Sequence, residues 1–178
     1  TVLNHNGWIG DNWEERGYDI HAYFPEFSDP DCENCGQGDG DLEVDYQDTS
    51  EDYWPIADGA LPLGIITFSR GFNDMSWELE MNTYNRTNWY SDYQIPYFPI
   101  PNPPDQNQPV GYNRESVLPV DDIRQEVEDL DKSLKPYIDY AGNAGAFLSE
   151  FMGFHGIWYK DLHLYDDDFP CFSAGHIH

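Results

Sequence analysis

At 178 residues the chain is long enough for one domain with a buried core, and its 16% aromatic share separates it from disordered chains despite a formal charge of −26. Thirty-four Asp and Glu against eight Lys and Arg exclude nucleic-acid phosphates and anionic membrane surfaces as partners. No apolar run approaches the roughly 20 residues of a membrane span.

Such a surface suits a cationic partner, bound Ca²⁺, or a salt-rich or extracellular medium. The expected setting is extracellular or secreted, with the cytoplasm of a salt-adapted cell as the alternative. In chain order, "TVLNHNGWIG" starts as a short strand running into a Gly-containing loop. It opens without Met or a basic leader segment, as expected where a leader has been removed upstream. "YDIHAYFPEF" (18–27) is rich in aromatic and β-favouring residues and predicts a second strand.

Residues 28–59 read as an acidic, turn-rich insert. Carboxylates alternate through it at Asp29, Asp31, Glu33, Asp39, Asp41, Glu43 and Asp45, the spacing that Ca²⁺ loops use. The full Ca²⁺-loop pattern is not met, because Asn34 occupies its glycine position, so a solvated acidic loop is the plainer reading. Ca²⁺ at this insert is the one cofactor the sequence offers, and otherwise none is expected. Cys32 and Cys35 in "DCENCG" lack the second ligand pair of a zinc site and predict a small local disulfide, leaving Cys171 over.

"LPLGIITFS" (61–69) is continuously apolar and predicts a strand covered on both faces. "WELEMNTYN" (77–85) sets Trp77, Leu79 and Met81 against Glu78, Glu80 and Asn82, a half-buried strand. "NRT" at Asn85 fits an N-glycosylation sequon. Residues 86–119 carry most of the prolines and predict an ordered loop or arm. Two helices follow: 120–134, with apolar residues at three- and four-residue steps and Asp121 and Asp122 at its positive end, and 143–159. "CFSAGHIH" is the last strand. This order gives a single α/β domain over 1–178.

Chemistry concentrates near the end. Ser149 follows the small residues of "AGNAGAF" near a helix start, where backbone N–H groups and the helix dipole favour a developing oxyanion. A serine nucleophile needs a histidine base and a carboxylate to orient it. His155, His163, His176 and His178 are candidate bases, and Glu78 and Glu80 candidate carboxylates. His155 lies on an apolar helix face and reads as a packed core residue. His176 and His178, two apart on a strand, share a side and would suit a metal, but no third ligand is evident. Cys171, seven residues before His178, sits too far along the chain to replace the serine.

These pieces resemble a known family. "NAGAFLSEFMGFHG" resembles the nucleophile helix of pyrrolidone-carboxylate peptidases, A-G-x-Y-[LV]-C-N followed by an aromatic run. "SAGHIH" resembles the stretch ending in that family's catalytic histidine. "WELEMNTYN" resembles its carboxylate strand, with Glu80 and Asn85 at the family's five-residue spacing, and "DNWEE" echoes an N-terminal motif. The resemblance implies an α/β three-layer sandwich with a mixed sheet between helices. It also implies a triad at Glu80, Ser149 and His178. Ser149 and Glu150 stand where the family has Cys and Asn, and Arg70 and Tyr90 stand at or near its substrate-binding Gln and Arg.

These departures predict a divergent pyroglutamyl-peptidase-like protein, with a peptide substrate if active and with altered or lost activity. The contrasting expectation is a secreted acidic interaction protein that assembles into homo-oligomers through 86–119.

Overall fold

The computed structural model describes residues 12–25, 42–70, 76–142 and 144–178. The strand expected at the N-terminus, both cysteines of "DCENCG" and the carboxylates from Asp29 to Asp41 lie outside the described residues.

The helix Tyr46–Ala60 (α1) overturns the turn-rich reading of the second half of the acidic insert. Its N-cap, Asp45, accepts from the backbone of Gln47 and Asp48 at 2.6 and 3.1 Å, so one oxygen of this carboxylate caps the helix. Pro55 and Gly59 inside the run argue against a helix by propensity, an interior proline costing about 3 kcal/mol. Burial of Tyr46, Tyr53 and Ala57 along one side offsets that cost.

Gly64–Phe68 (β1), Ser173–Ile177 (β6), Glu78–Glu80 (β2) and Tyr137–Asp139 (β5) form a four-stranded sheet in the order β1-β6-β2-β5. The outer pairs are parallel and β2 runs antiparallel to β6, so the sheet is mixed. On one face lies the helix Leu148–His163 (α3), backed by α1; Tyr53, Ala57, Tyr159 and Cys171 pack there with Ile65. On the other lies the helix Val120–Leu130 (α2), where Val120 and Leu118 pack on Leu79 and Ile177. This is the expected sandwich of a mixed sheet between helices.

Three expectations are corrected. β1 is covered on one face only: Thr67 is buried, whereas Ile66 and Phe68 are exposed, because α2 lies over β2 and β6 instead. The strand read over 77–85 breaks at Met81, and Asn82–Tyr84 (β3) leaves to pair with Asn113–Glu115 (β4) in a second small sheet. Between 18 and 25 Ile20 makes only a single bridge, with no strand around it.

Residues 85–112 form no helix or strand, yet the segment is anchored. The Asn85 amide donates to the carbonyls of Asp105, Gln108 and Pro109, and its oxygen accepts from Asp105 N. Fully buried and committed to these bonds, Asn85 has no free amide to receive a glycan in the folded chain. No described helix is long and apolar enough to cross a membrane.

Candidate functional site

Strand alternation puts Glu78, Glu80, His176 and His178 on one side of the sheet. Glu80 is the register partner of His176, and the backbones of Glu78 and His178 exchange hydrogen bonds at 3.0 and 2.9 Å. That side is the one α3 covers, because Gly153 of α3 lies against His176. A Cβ at Gly153 would come within 2.8 Å of the His176 Cβ, so only glycine lets helix and strand approach this closely.

The structure brings two of the three expected triad residues into contact. His178 Nδ1 lies 3.1 Å from Glu80 Oε1 and 3.6 Å from Glu78 Oε2. The first contact is close without being aligned as a hydrogen bond, so neither Glu80 oxygen receives a donor although the residue is only 1% exposed. Burial pushes the Glu80 carboxyl up to about 7; His178 pulls it back, while Glu78 and Asp139 add to the rise. His178 Nε2 is likewise buried without a hydrogen-bond partner.

His176 has a different environment. Its Nδ1 and Nε2 are joined to the hydroxyls of Thr67 and Ser69 at 2.7 and 2.9 Å. Complete burial, reinforced by the charge of His178, presses its pKa down to about 3, so it stays neutral. The two rings meet edge to face at 4.7 Å and do share a side, but both nitrogens of His176 are already engaged. His155 is the packed histidine expected: its Nδ1 pairs with the Phe151 carbonyl at 2.8 Å, and burial lowers its pKa to about 4.

Ser149 lies in the first turn of α3. The expected helix start at 143 is displaced because Gly142, Gly145 and Ala146 all have positive φ, which an α-helix does not accommodate. Ser149 therefore stands at the N-terminal turn, one turn ahead of Gly153. The N-cap, Phe147, has no side-chain oxygen to cap the first amides. Among the described residues no hydrogen bond joins Ser149 to His178.

Glu150, next to Ser149, is fully buried and fully engaged. One oxygen accepts from Arg86 Nε at 2.6 Å and from Tyr84 N at 3.1 Å; the other accepts from Ala146 N at 3.0 Å. Burial raises its pKa, opposed by Arg86 and the two amides. Arg86 also donates to the carbonyl of Gly142 at 3.1 Å.

Arg70 lines a cleft of about 330 Å³ with Ser69, Trp77, Leu134 and His178. Tyr90 does not line it. The Tyr90 backbone N donates to Ala146 O at 2.8 Å and its ring is 69% exposed. Cys171 is buried in the α1–α3 core. Sequence reasoning missed Arg86 as a partner of Glu150, and the seals Thr67 and Ser69 on His176. It set Glu78 and Glu80 together on one face of a half-buried strand, with no signal that α3 covers that face.

No protein-family model matches the sequence, and no curated protein is similar to it in sequence. Solved structures do match. The pyrrolidone carboxyl peptidase of Thermococcus litoralis is 21% identical with a TM-score of 0.60, over 76% of this chain and 56% of that one. A variant of the Pyrococcus furiosus pyrrolidone carboxyl peptidase is 19% identical with a TM-score of 0.57, over 76% and 60%. The chain thus has the pyrrolidone carboxyl peptidase fold and spans somewhat over half the length of these neighbours.

Proposed function

We propose that the chain is a serine-variant hydrolase on the pyrrolidone carboxyl peptidase scaffold, with altered or lost pyroglutamyl peptidase activity. The observation that supports it most is the Glu80–His178 contact on the sheet face that α3 covers, with Ser149 in the first turn of that helix. In this reading Glu80, in contact with Nδ1 of His178, orients the imidazole, Nε2 takes the Ser149 proton, and Oγ attacks a peptide carbonyl. The first-turn amides of α3 face the developing oxyanion, and Arg70 meets the substrate in the cleft beside His178.

Two features set the activity apart from that of a thiol peptidase. A hydroxyl, unlike a thiol, is scarcely ionised near neutral pH and depends wholly on its base. With its carboxyl pushed up to about 7 by burial, Glu80 gains its charge through that pH range, so activity is expected to rise through it. Labelling with a fluorophosphonate probe, mapped to Ser149, and turnover of a pyroglutamyl chromogenic substrate test the reading. Ser149→Cys is expected to raise pyroglutamyl turnover; absence of labelling in the parent and of turnover in both proteins removes the hydrolase reading.

A second reading is favoured by one observation. Tyr90, Tyr93, Ile95, Tyr97, Phe98 and Ile100 are all exposed on the Pro-rich segment, the expected composition of an interaction surface. It requires a self-association in sedimentation that shortening 94–110 abolishes.

A further inference from the structure

We propose that Glu78, Glu80 and His178 form a three-ligand site for a divalent cation of the zinc class, and that filling it silences the base. The silencing rests on the hydrolase reading above; the binding site itself does not.

The three residues offer donor atoms that all lie within 4.8 Å of one another. The 3.1 and 3.6 Å separations from His178 Nδ1 to Glu80 Oε1 and Glu78 Oε2 bracket the ~3.3 Å between ligands of a tetrahedral zinc with bonds near 2.0 Å. The strands impose this spacing: Glu78 and His178 are backbone-bonded neighbours, and Glu80 is the next residue along the same face.

An independent observation is the state of Glu80. Both of its oxygens are buried and lack a hydrogen-bond donor, an expensive condition for a carboxylate. Glu150, equally buried, accepts three hydrogen bonds, from Arg86, Tyr84 and Ala146; Glu80 receives only the misaligned approach of His178. A cation between Glu78, Glu80 and His178 would complete that coordination. One imidazole nitrogen with two carboxylates suits zinc better than Ca²⁺ or Mg²⁺, which take oxygen ligands. Of the three, His178 also lines the cleft beside Arg70.

The consequence for the base follows from imidazole chemistry. As a base, His178 carries its proton on Nδ1 and offers the Nε2 lone pair. With the metal on Nδ1, a neutral ring must carry its proton on Nε2, which then donates and accepts nothing from Ser149. Metal and proton transfer therefore exclude each other at one residue.

Chelator-treated protein titrated with zinc chloride, followed by imidazole ¹⁵N NMR of His178, tests the site. One equivalent is expected to move Nδ1 into the metal-bound range while Nε2 stays protonated. Glu78→Gln is expected to weaken this response roughly ten-fold or more. Asp166→Asn, which removes the exposed His163–Asp166 pair at 2.6 Å, is expected to leave it unchanged. A His178 signal unmoved by stoichiometric zinc, or Glu78→Gln responding like the parent, overturns the site. Fluorophosphonate labelling of Ser149 lost on adding zinc supports the silencing, and labelling that persists at saturation overturns it. A zinc response in a protein that never labels, with no turnover in the parent or in Ser149→Cys, supports the site and overturns the hydrolase reading.

Discussion

Glu150 at the start of α3 and Glu80 on β2 are enclosed to the same degree, 0% and 1% exposed, yet their surroundings are opposite. Glu150 sits among an arginine and two backbone amides, every one aimed at its oxygens. Glu80 has one histidine, poorly aligned, and two further carboxylates nearby that repel its charge. Desolvation leads the upward shift at both; at Glu150 the arginine and the two amides oppose it, and at Glu80 it reaches about 7. The difference separates a carboxylate whose interactions are complete, and which serves the fold, from one left incomplete where a proton, an imidazole or a cation can act.

The largest effect is expected where the interactions are complete. Glu150→Ala leaves Arg86 Nε and the Tyr84 and Ala146 amides without an acceptor, and should cost roughly 3–5 kcal/mol in urea unfolding. A loss under about 1 kcal/mol would erase the contrast.

Glu80→Gln tests the other side through pH. The folded pKa of Glu80 is raised from 4.5 to about 7, so the native state holds its proton more tightly and stability falls as pH rises through that window. The full cost is present above pH 7 and absent well below pH 4.5. The stability of Glu80→Gln relative to the parent should therefore improve by roughly 3 kcal/mol between pH 4 and pH 8. A difference that stays flat with pH means that Glu80 is not strained in this way.

Gly153→Ala sharpens the comparison by moving the elements that carry the two sites. The added methyl meets the His176 Cβ at 2.8 Å, so α3 and β6 must separate. Helix propensity returns part of the loss, leaving a net of roughly 1–2 kcal/mol in thermal or urea unfolding. The His178 resonances should shift in the same variant. Asp45→Ala, at the start of α1, sets the baseline for an ordinary capping carboxylate: about 1 kcal/mol, with no change at His178.

The order of strands and helices around the site was legible because it rests on local signals. Apolar spacing marked α2, and the run "SAGHIH" marked β6. The pairing of Glu80 with His178 came only through the family resemblance, since the two lie 98 positions apart and no local period links them. Helix α1 was illegible for the opposite reason. Pro55, Gly59 and its many Asp, Ser and Thr residues speak against a helix locally, and packing against α3 overrides them. The start of α3 was misplaced because the left-handed turns at Gly142, Gly145 and Ala146 leave no periodic trace.

By itself, then, the sequence determined the acidic surface, the α/β class, and the residue types at the three candidate catalytic positions. These follow from composition, from short-range spacing and from motifs contiguous in the chain. The tertiary structure alone decided which carboxylate is satisfied and which is not. Glu78, Glu80 and Glu150 are the same residue in the sequence. Strand register sets two of them beside His178, and the turn before α3 gives the third an arginine and two amides. Desolvation and hydrogen bonding act through space, and only the folded chain fixes which groups are neighbours there.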